Sequence, residues 1–271
     1  MKRFGLALAL LGALSAGRAA DLPLWELGLG LSALSLPHYR GAEKSRNWLL
    51  PFPYGVYRGD VLQANQDGIK AKLIDSDRID FDLSLEATAP SRSRDEPIRQ
   101  GMPDLKGTLE FGPNVNLRLA GGPGWKVEAR WPLRAAFTLQ AAPRSVGWTS
   151  APSLNLDLQV AGWKIGTELA TLWGSQGFHR YYYSVDSAFA TATRPAYRAG
   201  AGRAGWQSTL AASRRTDNIW IGAFVSADSL SGARFGDSPL VRRRHNLSMG
   251  VAVSWLLWRS ERLVPDPDEL R

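Results

Sequence analysis

The sequence predicts an all-β fold: a transmembrane antiparallel up-and-down β-barrel of twelve strands, or of ten if residues 60–74 do not form a strand pair. Three observations carry this. Apolar residues recur at every second position through most of the chain, the period of a strand with one apolar and one polar face. Several such stretches run about 11 to 15 residues, beyond the ~5–6 usual in soluble domains and enough for the ~9–11 that cross a bilayer. The connections alternate long and short, as in barrels with long external loops and short periplasmic turns.

The elements follow in order. Lys2 and Arg3, the apolar run Phe4 to Leu14 and the small residues from Ser15 to Ala20 read as a signal peptide over 1–20, cleaved near Ala19 or Ala20. The barrel is then expected over 21–258 and a periplasmic tail over 259–271. The first strand, 24–34, sets Trp25, Leu27, Leu29 and Leu31 against Glu26, Gly28, Gly30 and Ser32. Strands at 48–57, 60–66 and 69–74 come next; Asp67-Gly68 between the last two would be an unusually short external turn. At 78–88, Ile79, Phe81, Leu83 and Leu85 oppose Asp80, Asp82, Ser84 and Glu86. At 105–120, Phe111, Val115 and Leu117 oppose Glu110, Asn114, Asn116 and Arg118. At 125–139, Val127, Ala129, Trp131 and Leu133 oppose Lys126, Glu128, Arg130 and Arg134. At 150–160, Leu154, Leu156 and Leu158 oppose Asn155, Asp157 and Gln159. Strands at 163–173, 203–213, 217–227 and 244–255 complete the set. The bland alternative, a secreted β-sandwich, has shorter strands than these.

Composition agrees. The chain has 271 residues and no Cys, which excludes a disulfide framework, a thiolate metal site, a Cys nucleophile and a lipidated N-terminal Cys. Of its 11 Trp, Trp25, Trp125, Trp148, Trp163, Trp173, Trp220 and Trp255 fall at or near strand ends, where an amphipathic ring sits at lipid-headgroup level. The formal charge of +8 drops to +5 when Lys2, Arg3 and Arg18 leave with the signal peptide. No zinc-finger, RRM or helix-turn-helix pattern accompanies it, so nucleic acid is not an expected partner.

Several short motifs run in order along the mature chain. They are Pro37-His38-Tyr39-Arg40-Gly41, Leu50-Pro51-Phe52-Pro53-Tyr54 leading to Arg58-Gly59, Gly101-Met102-Pro103, Gly112-Pro113, Pro132-Leu133-Arg134, Tyr182-Tyr183-Ser184-Val185 and Ser238-Pro239-Leu240. In these the chain resembles the MipA/OmpV family, named after the MltA-interacting protein. The resemblance implies an outer-membrane barrel with a scaffold role, binding a lytic transglycosylase and a murein synthase. Ser248 to Trp255 looks like the last-strand signal for barrel assembly; Pro265 and Pro267 beyond it exclude a further strand.

Nothing in the spacing selects a catalytic, cofactor or metal site. No HExxH, GxSxG or SxxK occurs. His38 and His179 are expected in solvent-facing external loops and His245 at a strand top. A lumen charge network is expected from Glu26, Asp80, Asp82, Glu110, Arg118, Lys126, Glu128, Arg130, Arg134, Asp157, Lys164 and Glu168. Such charges persist inside a barrel only when paired or wet. They make either a salt-bridged plug or a weakly selective pore for small solutes. External arginines, among them Arg92, Arg94, Arg99, Arg194 and Arg234, would face lipopolysaccharide phosphates. Arg203, Arg214 and Arg215 would lie at the periplasmic rim.

Overall fold

A computed structural model describes residues 21–59, 62–65, 68–71 and 78–265, with side chains for 21–59 and 78–265. The signal-peptide reading and the end of the tail, 266–271, lie outside the described residues.

Among the described residues fifteen strands follow one another: β1 (Leu22–Pro23), β2 (Trp25–Pro37), β3 (Ser45–Arg58), β4 (Leu62–Asn65), β5 (Gly68–Ala71), β6 (Ile79–Thr88), β7 (Thr108–Gly122), β8 (Trp125–Thr138), β9 (Ser145–Ser150), β10 (Ser153–Val160), β11 (Trp163–Gly174), β12 (Gly202–Arg215), β13 (Ile219–Ser229), β14 (His245–Arg259) and β15 (Leu263–Val264). An α-helix, α1 (Gln176–Tyr183), lies between β11 and β12. Each of β2 to β14 pairs antiparallel with its neighbours in one sheet, and β14 pairs with β2. Both β9 and β10 pair with β8 and with β11, so the sheet closes on itself. Closure is required in lipid, where an open edge leaves backbone groups unsatisfied.

The two segments β9 and β10 are one stave broken at Ala151-Pro152. Pro152 has no N–H to give, and its carbonyl accepts from Thr171 N at 3.0 Å. Counted this way, the described residues form twelve staves. The stave begins at Ser145, five residues before the expected start, because the bend at Pro152 interrupts the alternation.

Burial inverts the order of a soluble protein. Leu27, Leu29 and Leu31 are 48%, 57% and 45% exposed, whereas Glu26, next to Leu27 in the same strand, is fully buried. The apolar face meets lipid and the polar face meets the lumen. The long connections, 38–44, 89–107, 139–144, 175–201 and 230–244, share one end; the turns at 123–124, 161–162 and 216–218 share the other. By the usual asymmetry the first end is external and the second periplasmic.

Two corrections concern the ends. β14 continues through Trp258 to Arg259, and Leu263–Val264 pairs with Leu22–Pro23, so the expected tail begins inside the barrel and returns to clasp the start of the chain. Trp220 is not a girdle residue. It shares a face with Ser254 and Gly30, and its ring lies 5.8 Å from that of Tyr54 inside the lumen.

Candidate functional site: a capped, two-sided lumen

The external loops do not splay into solvent. They meet over the mouth in a core of Tyr39, Leu105, Tyr182, Tyr183, Val185, Leu230, Phe235 and Leu240, all buried. α1 starts at Ser175, whose Oγ accepts from Phe178 N, and it turns Tyr182 and Tyr183 toward the barrel. Tyr182 Oη lies 3.1 Å from Thr88 Oγ1 and 3.3 Å from Thr108 Oγ1, at the tops of β6 and β7. Tyr183 donates to Arg40 O at 2.9 Å and stacks on Phe235. Tyr39 donates to Leu240 O at 2.8 Å, and Ser238 Oγ donates to Tyr183 O at 2.7 Å. Burial pushes the Tyr182 hydroxyl up to about 12 and raises Tyr39 and Tyr183 further, so all three stay neutral donors.

Most of the motif residues build this cap. Tyr39, Arg40, Gly41, Ser238 and Leu240 form one side; Gly41 N donates to Asn246 Oδ1 at 2.6 Å, and Gly41 O accepts from Arg242 N. Pro37 ends the strand below them, and Pro239 precedes the fully buried Leu240. Met102 packs on the core after Gly101, which has φ +81°, and Pro103 O accepts from Ser93 Oγ at 2.6 Å. Gly112 and Pro113 lie instead in β7, where a Cβ at Gly112 would collide with Leu133 O. Arg58 lies at the periplasmic base, just before Gly59.

Burial overturns three expectations here. Arg99 is 3% exposed and donates to Tyr182 O and Pro103 O; Arg194 is 6% exposed and donates to Phe189 O, Ile98 O and Gln100 O. These two hold carbonyls of the cap and do not face lipopolysaccharide. His179 is 1% exposed, with Nδ1 at 2.7 Å from Gly200 O, and burial lowers its pKa. Arg203 lies at the external end of β12, over the Trp206 ring and near Gly232. Helical contacts and distant loop partners leave no trace in local alternation.

The lumen charges fall into separate groups. At the base, Arg58 donates to Glu26 at 2.8 Å and Arg215 also pairs with Glu26. Lower on the β8–β10 wall, Lys126 and Arg130 hold Glu128 at 3.0 and 3.1 Å and Asp157 at 3.7 and 3.3 Å. Higher, Arg134 donates to Ser84 Oγ and Glu86, while Arg40 bridges Glu86 and Asp228. Asp82 accepts from Asn114 and Asn116, and Glu110 accepts from Thr149. Asp80 neighbours Asn116 across the β6–β7 pair, and Glu168 faces Asn155. Arg118 and Lys164 are exposed toward the periplasmic end. Glu86 is 38% exposed, and Arg130 and Asp157 are 30% exposed. These side chains keep accessible surface below the cap, the loops close the mouth, and the charges form several paired groups.

The opposite wall is apolar. Trp48, Leu50, Phe52, Tyr54 and Val56 share the inward face of β3, opposite Leu34, Ser32, Gly30, Gly28 and Glu26. Trp220 and Phe224 face inward from β13. A Cβ at Gly30 would collide with the Phe52 ring, and one at Gly250 with Phe224 and Leu34. These glycines make room for rings in the lumen. The sequence signal was present: Trp48 to Tyr54 is apolar on both faces, unlike every charged strand.

Ser91 Oγ lies 2.9 Å from His38 Nδ1, a contact that could be read as a nucleophile and base. Ser91 is 2% exposed and bridges Leu105 through its backbone, so its hydroxyl has no room for a substrate carbonyl. The pair fixes the first long loop to the second.

A closed sheet with lipid-facing leucines, a charged lumen and a packed external cap defines an outer-membrane β-barrel. The model of the family described as MltA-interacting protein MipA matches residues 29–257. The chain belongs to that family. No curated protein matches it. Among solved structures, it is similar to the COG4313 outer membrane channel from Pseudomonas putida F1, at 13% identity, covering 90% of this chain and 100% of that one, TM-score 0.46. It is similar also to a bacterial polysaccharide outer membrane secretin, at 9% identity, covering 87% and 99%, TM-score 0.42. A third similar structure is the outer membrane protease OmpT from Escherichia coli, at 9% identity, covering 87% and 96%, TM-score 0.33.

Proposed function

We propose that this barrel is a non-catalytic scaffold that tethers murein-remodelling enzymes to the outer membrane. Its partners would be a lytic transglycosylase of the MltA kind and, with it, a murein synthase. The family's description names an interaction with MltA. The observation that carries the reading is the cap: Tyr39, Tyr183, Phe235 and Leu240 close the external mouth with buried packing, which suits an anchor better than a through-channel. The periplasmic base supplies a stiff docking end. There Arg58 and Arg215 converge on Glu26, Arg58 also donates to Pro23 O, and β1 pairs with β15. The test is chemical crosslinking in intact envelopes followed by purification of the barrel. Recovery of a lytic transglycosylase, lost when the β1–β15 clasp is removed, is expected. Recovery of no murein enzyme overturns the reading.

A second reading, a small-solute channel, is favoured by the part-exposed, mixed-sign wall of Glu86, Arg130 and Asp157. Its signature is a steady conductance that changes when Arg130 or Glu128 is replaced.

A further inference from the structure

The outer face of the barrel carries a groove at its external end, across β12, β13 and β14. Alternation turns Trp206 and Ser208 of β12, Ala227 and Ser229 of β13, and His245 and Leu247 of β14 away from the lumen. The register sets them in two rows: Trp206 beside Ser229 and His245, and below them Ser208 beside Ala227 and Leu247. The next row, Leu210, Val225 and Met249, returns to the large apolar side chains of the lipid-facing band. The small side chains of Ser208, Ala227 and Ser229 form the floor of the groove. Trp206 and Leu169 form one bank and Leu247 and His245 the other, around a volume of about 540 Å³.

The upper end of this groove is basic. The Arg203 guanidinium lies over the Trp206 ring, 4.5 Å from its centroid, and its Nε is buried with no hydrogen-bond partner. Arg243 lines the groove from the β14 side. Neither guanidinium forms an ion pair among the described residues, whereas the adjacent Arg242 pairs with Glu43. Strands two apart have axes ~10 Å apart, so the two arginines can bracket one headgroup. Trp173 and Trp206, both exposed on the outer face, mark the level where aromatic rings meet headgroups.

We propose that this groove binds a phosphorylated glycolipid of the outer leaflet, its phosphate between Arg203 and Arg243 and an acyl chain over Ser208 and Ala227. Three features select that occupant. The groove lies on the lipid-facing surface, so its ligand arrives from the membrane and brings an apolar chain. Two cations without a carboxylate call for an anionic head, and a guanidinium holds phosphate in a bidentate fork. Ser45, Ser229 and His245 line the same end and offer hydrogen-bond partners to sugar hydroxyls. Arg99 and Arg194 take no part, because both are committed to carbonyls of the cap. The inference depends on neither the scaffold nor the channel reading.

Native mass spectrometry of the purified barrel in detergent tests this, with lipid A, phosphatidylglycerol or inorganic phosphate added in turn. The wild type should carry lipid A as a discrete adduct and prefer it to phosphatidylglycerol. An Arg203→Gln, Arg243→Gln double variant should bind lipid A about tenfold more weakly or worse, the weight of a lost charge-assisted bond to phosphate. Arg242→Gln, at the arginine already paired with Glu43, should bind as the wild type does. Ala227→Leu fills the floor and leaves every charge in place, so it should weaken binding as well. It also keeps the test decisive if the double variant does not fold, which heat-modifiable gel migration reads for each protein. Wild-type affinity in the folded variants overturns the proposal. An equal loss in Arg242→Gln overturns it in favour of general attraction to a basic rim. Equal binding of phosphatidylglycerol overturns the choice of a glycolipid, and displacement of lipid A by inorganic phosphate overturns the choice of a lipid.

Discussion

Tyr183 stacks on Phe235 with ring centroids 3.6 Å apart and planes 9° from parallel, joining the helix-bearing loop to the last long loop. His179 packs edge-on against the same Phe235 at 4.8 Å, and Tyr39 against Tyr183 at 6.1 Å. Phe235 is therefore the centre of the cap, and it is 1% exposed.

Phe235→Ala should remove that centre. Loss of a fully buried aromatic costs about 3–5 kcal/mol where the site cannot collapse. The expected outcome is rapid protease nicking of the 175–201 and 230–244 loops with the strands left intact. Limited proteolysis with mass spectrometry reads it; loops as resistant as in the wild type would show that the cap does not depend on this ring.

Arg194→Ala should open the cap from a different point. The guanidinium donates to three carbonyls, each bond to a charged donor being worth about 1.5–3 kcal/mol. Proteolysis between Ala190 and Tyr197 should accelerate, while lipopolysaccharide binding measured by native mass spectrometry stays unchanged. A fall in lipopolysaccharide binding without faster cleavage would restore the surface role that the sequence alone suggested.

Glu26→Ala should destabilise the base. Arg58 and Arg215 would face each other without their shared carboxylate, and breaking a buried pair costs about 3–5 kcal/mol. Urea unfolding of the barrel in lipid should shift to lower concentration. Glu26→Gln, which keeps the acceptor, should lose less. Equal midpoints for the wild type and Glu26→Ala would contradict the cluster's role.

Acid should loosen the cap through His179. Burial lowers its pKa below the ordinary 6.5, so the unfolded loop binds the proton more readily than the folded one. Stability from the neutral ring is complete above pH 6.5 and is lost as pH falls from 6.5 toward the folded value. Hydrogen exchange of the 176–183 amides should rise through that window, and a His179→Gln variant should flatten the change. A cap whose exchange is level from pH 7 to pH 5 would contradict the assignment.

The strands were legible because a barrel wall is local. Ile79 to Glu86 alternates without a break, and the structure sets Ile79, Leu83 and Leu85 outward, each more than a third exposed. The cap was not legible because its contacts join residues far apart in sequence. Tyr39 bonds Leu240 and Tyr183 bonds Arg40, and no period foretells such pairs. The resemblance did single out Tyr39, Arg40, Ser238 and Leu240, but as motif letters without a place. The apolar wall was half legible. Trp48 to Tyr54 lacks a polar face, which the sequence alone displays. Alternation puts the charges of the lumen list on one face but gives no height along the barrel, so it predicts one network where the structure has several clusters.

The central claim is that the cap closes the external mouth. Single-barrel recording in planar bilayers tests it most directly, with the wild type beside a Tyr183→Ala, Phe235→Ala double variant. The wild type should be silent, and the variant should open to a steady conductance that falls when Arg130 is also replaced. A steady conductance in the wild type, unchanged in the variant, would contradict the claim.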